Sequence, residues 1–126
     1  MKTGLYGILS RQEECMYVIV VYVPEGHLEA VKQAMFGAGA GSIGSYGECS
    51  WEVKGQGQFK PLDGSDPFLG ETGQVSRVQE YRLEVTADEQ HAAQAVQAMI
   101  EAHPYEVPAY HVYRGMNYRE LQREES

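Results

Sequence analysis

The sequence predicts an α+β fold in which helices cover one face of an antiparallel sheet, and three observations carry that reading. The run MYVIVVYV over residues 16–23 is almost wholly β-branched, aromatic or aliphatic, the composition of a central strand buried on both faces. Two later stretches place apolar residues at helical spacing. The elements follow the order β-α-β, long loop, β-α-β, and 126 residues are one domain's worth of chain.

Residues 1–15 are largely polar and aperiodic and read as an N-terminal extension, so the domain proper spans 16–113 and residues 114–126 form a charged C-terminal tail. After the first strand, Pro24 suits the opening turn of a helix over 25–38, where Leu28, Val31, Met35 and Ala38 recur on one side. Gly39 and Gly41 stop it. Over 46–53 a strand alternates Cys49, Trp51 and Val53 on one side with Glu48, Ser50 and Glu52 on the other. Residues 54–74 hold five glycines with Pro61 and Pro67, and are expected to form a long loop with a hairpin inside it. Over 75–85, Tyr81, Leu83 and Val85 share one face of a strand and Glu80, Arg82 and Glu84 the other. Thr86 and Glu89 form a capping box that predicts a helix start. That helix presents Ala92, Ala93, Val96, Met99 and Ile100, and ends near His103 because Pro104 cannot continue it. A last strand is expected over 105–113. This order is a ferredoxin-like split βαβ.

A net charge of −8 argues against a nucleic-acid binder, which needs a basic footprint, and against an anionic membrane surface. No apolar run approaches the ~20 residues of a membrane helix. Two cysteines make no disulfide framework, and the N-terminus lacks a secretory signal, so a cytoplasmic location is expected. Because helices cover one sheet face only, a first strand apolar on both sides predicts a homo-oligomer that packs sheet against sheet.

Two segments invite chemistry. Residues 39–44, GAGSIG, match a dinucleotide-binding pattern by letter, but they follow a helix and precede a strand. A helix C-terminus presents carbonyls, so no phosphate belongs there. The glycines read as a C-cap. Residues 103–108, HPYEVP, set an imidazole, a phenol and a carboxylate between two prolines. His103 and Glu106 suit a divalent metal or acid–base work. Alternatively, His103 caps the helix. Cys49 and His111, on different strands, make a soft-metal site if the fold brings them together. No nucleophile elbow, HExxH helix or spaced carboxylate pair appears, and no residue is assigned a catalytic role.

Taken in order, the helix-terminal GAG-x-IG-x-Y, the G-x-G-x-F-x-P loop and the HPYE-x-P-A-Y segment resemble the PII/CutA-like domain inserted in bacterial members of the NGG-interacting-factor-three family, also met as a short stand-alone protein of the YqfO type. The match covers about residues 16–113, and HPYEVP is similar to the signature of the CutA divalent-cation tolerance proteins. The resemblance implies a trimer, a loop over 54–74 that meets a protein partner, and clefts between subunits that bind small effectors. It further implies a divalent metal (copper, zinc, nickel or cobalt) held by His103, Tyr105 and Glu106, with Cys49 as a further candidate; His111 is a candidate ligand from its residue type alone. Val107 and His111 stand where a second Glu and an Asp are expected, which favours nitrogen-liking metals. Only the insert matches, so the resemblance implies a non-catalytic regulatory or scaffolding protein, with a metal-dependent hydrolase and a ligand-free structural oligomer as alternatives.

Overall fold

A computed structural model describes residues 16–125, and the extension read over 1–15 lies outside them. The chain runs through β1 (Met16–Pro24), a 3-10 turn (Glu25–His27), α1 (Leu28–Gly37), β2 (Trp51–Phe59), β3 (Ser76–Asp88), α2 (Ala92–Ala102), β4 (Tyr110–Gly115) and α3 (Tyr118–Glu125). The sheet is ordered β2-β3-β1-β4 and every pairing is antiparallel. This is the expected ferredoxin-like architecture.

Period-two alternation decides what β1 does. Ile19, Val21 and Val23 join Leu83, Val85 and Ala87 of β3 beneath Leu28, Val31 and Met35 of α1 and Ala95 and Met99 of α2, forming the core. Val20 points the other way, opposite Glu84 and His111, and is 2% exposed although it lies outside that core. The strand is thus buried on its helix side at Ile19, Val21 and Val23, whereas on the other face Val20 is buried and Met16, Val18 and Tyr22 are only half-buried, less than its composition predicts.

At the end of α1 the carbonyls of Phe36 and Met35 accept from the amides of Gly39 and Ala40. Gly39 takes φ +102°, where a Cβ would strike the His91 ring. The glycine motif is therefore a helix C-cap.

Several boundaries differ from expectation, among them the end of β3 at Asp88 rather than 85 and the start of α1 at Leu28 after a 3-10 turn rather than at 25. β2 spans Trp51–Phe59 rather than 46–53, because nine residues pair with β3 and that ladder outweighs the low strand preference of Gly55 and Gly57. The Thr86 capping box does not form. Thr86 stays in β3 opposite Val18, its Oγ1 buried without a partner, and Asp88 Oδ1 instead accepts from the His91 amide and ring Nδ1. α2 starts at Ala92, and its buried residues are Ala95 and Met99, while Ala93 and Ile100 are exposed. β4 starts at Tyr110 rather than 105, since Pro104 and Pro108 withhold ladder amides and the one recorded link is Tyr22 N to Ala109 O, 3.1 Å. The charged tail folds into α3, capped by Asn117: its Oδ1 accepts from Glu120 N at 2.9 Å and Glu120 Oε1 accepts from Asn117 N at 3.5 Å. Among the described residues, no helix is long and apolar enough to cross a membrane.

Candidate functional site

The end of β1, the end of β2, the start of β3 and the 103–109 segment converge at one side of the sheet. Between them and the loop after β2 lies a cavity of about 530 Å³, lined by Tyr22, Phe59, Phe68, Glu80, Tyr105 and Glu106 among others. That size suits a small-molecule ligand.

His103 sets the fixed wall. It is the C-cap residue of α2, 6% exposed, with its amide bonded to the Met99 carbonyl at 2.9 Å. Its ring accepts at Nδ1 from the Tyr105 amide (3.2 Å), so Nε2 carries the proton and donates to the Tyr22 carbonyl at 2.7 Å. Burial pushes the imidazole below its ordinary pKa, opposed by the Tyr22 bond and assisted by nearby His27. His103 is a neutral strut joining α2, β1 and the segment that carries Tyr105.

Tyr105 stands at the centre. Its ring lies 4.9 Å from His103, 6.1 Å from Phe59 and 6.4 Å from Phe68, and its hydroxyl approaches Glu80 Oε2 at 3.5 Å, the long limit of a hydrogen bond. Burial, then the Glu80 charge and that contact, push the phenol up to about 12. Burial likewise raises the Glu80 carboxyl, against the Tyr105 bond that lowers it. Glu80 fits because β2 carries Gly57 beside it, where a Cβ would strike the carboxylate.

The loop forms the other wall. Phe68 meets the His27 ring edge-on at 5.5 Å, the Asp66 amide donates to Glu106 Oε1 at 2.9 Å, and Gly73 N donates to the Pro61 carbonyl at 2.7 Å. The Pro61–Gly73 bond thus ties the two ends of the loop together, and Phe68 anchors its middle.

The residues expected to bind a metal do not assemble into a centre. His103 has committed both ring nitrogens to the main chain, and Glu106 accepts from Asp66. Cys49 is half-buried in the α1–β2 connection with its Sγ 3.8 Å from the Gly47 carbonyl. His111 is exposed on β4 beside Tyr113. Among the described residues, no group of three or more His, Cys, Asp or Glu gathers. Tyr22 and Glu80, central to the cavity, carry no local motif: Glu80 reads as one polar position in an alternating strand, and only the β2–β3 register sets it beside Gly57.

The fold is similar to that of the CutA proteins. It superposes on the PII-like protein CutA from Nostoc sp. with a TM-score of 0.59 at 17% identity, covering 86% of this chain and 88% of that one. The sequence is more specific. It is 50% identical over 94 residues to a GTP cyclohydrolase 1 type 2 homolog from Mycobacterium leprae, covering 75% of this chain and 24% of that protein. A Bacillus cereus protein related to NIF3 superposes with a TM-score of 0.71 at 40% identity, covering 82% of this chain and 26% of the other. No family model matches. The chain spans about a quarter of the length of the curated relatives it matches. It therefore resembles the PII/CutA-like domain of the NGG-interacting-factor-three (NIF3/YqfO) proteins.

Proposed function

We propose that this protein is a non-catalytic, homo-oligomeric PII/CutA-like module that takes a small ligand into the cavity beneath the 60–75 loop and presents the loop to a protein partner. The observation that carries the reading is the cavity itself, built from a locked segment on one side and a loop on the other. Its lining favours an organic ligand over a metal, because His103 and Glu106 are already engaged and, among the described residues, no group of three or more His, Cys, Asp or Glu gathers there.

Assembly is supported by the helix-free sheet face. Trp51 and Val53 lie on it, opposite Glu84 and Arg82, and Tyr113 lies on it opposite Val18. Trp51 is 56% and Tyr113 54% exposed, an aromatic surface suited to burial against another copy. A trimer is the assembly proposed. Light scattering tests it: about three times 14.1 kDa is expected at micromolar concentration. A monomer whose melting temperature responds to no member of a metabolite panel would sink the whole reading.

A further inference from the structure

The chemistry of the cavity lining selects among small ligands, given the reading that the cavity is a ligand site. Four aromatic rings, Tyr22, Phe59, Phe68 and Tyr105, share it with the carboxylates of Glu80 and Glu106, and Lys60 is the one lining cation. Glu80 is half-buried, yet no cation pairs with it among the described residues. Among the described residues its side chain has one hydrogen bond, from the Tyr105 hydroxyl at 3.5 Å. A desolvated carboxylate with so long a contact is under-compensated, and it favours a positive partner. The raised carboxyl pKa expresses the same cost.

Aromatic faces are the other half of the recognition. The Tyr105 centroid lies 6.1 Å from Phe59 and 6.4 Å from Phe68, with the planes tilted by about 50° in both pairs. Rings set at such angles around a carboxylate attract a cation through their quadrupoles without needing a hydrogen-bond donor from it. An anionic ligand meets two carboxylates in a chain of net charge −8. A neutral apolar ligand leaves Glu80 uncompensated.

We propose that the cavity is a receptor for a small organic cation, an alkylated or quaternary ammonium with an apolar body, whose head is held by Phe59, Phe68 and Tyr105 and neutralised by Glu80. Gly57 keeps the space that the Glu80 carboxylate occupies. The wall locked by His103 presents Tyr105, and the loop brings Phe68 to the head from the opposite side.

The test uses the full chain and two probes of equal shape: choline, and dimethylbutanol, its uncharged carbon isostere. Chemical-shift titration of isotope-labelled tyrosine rings follows weak binding directly. Choline is expected to bind at least about tenfold more tightly than the isostere, as a desolvated cation–π site with a carboxylate requires. Glu80→Gln keeps size and shape, and should reduce that preference to about threefold or less while isostere affinity holds. Equal affinity of the two probes for the parent protein overturns the cation assignment and leaves the cavity a ligand site of another class. Failure of both probes overturns the cation assignment as well, and only a silent metabolite panel beside it brings down the ligand-site reading. The parent comparison needs no variant, so an unfolded Glu80→Gln protein does not rescue the proposal.

Discussion

Replacing His103 by alanine is the most informative single perturbation, because its cost follows from two named bonds. The change removes the donor to the Tyr22 carbonyl and the acceptor of the Tyr105 amide, leaving both main-chain groups unpaired in part-buried positions. At about 1.5 kcal/mol for each stranded group, the loss is about 3 kcal/mol. For a domain of this size that corresponds to a fall in melting temperature of about 10 °C. His103→Gln should recover about half, since its amide nitrogen reaches as far as Nε2 and restores the bond to Tyr22. Differential scanning calorimetry of the three proteins measures both steps, and the same samples melted with zinc or copper should show no metal-dependent difference between parent and alanine variant. A melting temperature of His103→Ala within about 2 °C of the parent, or a metal stabilisation that disappears only with His103, would refute the strut and restore the metal reading.

Three further outcomes are expected. Trp51→Lys places a charge on the helix-free face and should dissociate the oligomer in light scattering while circular dichroism stays native, whereas Val21→Lys buries an unpaired charge in the core and should unfold the protein. Glu80→Gln removes one of the causes that hold the Tyr105 phenol at about 12, so its pKa should move down toward the ordinary value of about 10, read by tyrosine-ring NMR across an alkaline titration. Burial depresses His103, so below about pH 6.5 the unfolded chain takes up a proton that the folded protein does not. The contribution is full above that pH and is lost as the pH falls toward the folded-state value, and acid melts should show the parent losing stability faster than His103→Gln. Parallel acid profiles for the two proteins would contradict this.

What the sequence made legible follows from how local each signal is. The apolar run of β1, the spacing of Leu28, Val31 and Met35, and the alternation of Tyr81, Leu83 and Val85 are local patterns, and each element stands where its pattern put it. β2 is placed by its partner. Residues 55–59, poor in strand formers, become strand because β3 offers a ladder, and no window of sequence contains that information. The Thr86 box failed for the same reason, since pairing with Val18 holds Thr86 extended. The His103 segment was conspicuous as a motif and ambiguous as chemistry: two nitrogens beside a carboxylate look alike whether they await a ligand or already hold main-chain groups. Deciding between those needs Tyr22, which lies 81 positions away in the chain.

The junction at His103 also determines where a bound molecule would be felt. One jaw of the cavity is bolted to the sheet and to the end of α2, so it serves as a reference frame that a guest cannot displace cheaply. The opposing jaw meets that frame through the Phe68 ring and one bond from Asp66 to Glu106. On the proposed ligand-site reading, a guest therefore presses against a fixed wall on one side and a loop held by few contacts on the other. Variation in the loop can change the lining of the cavity without reopening the question of how the chain folds.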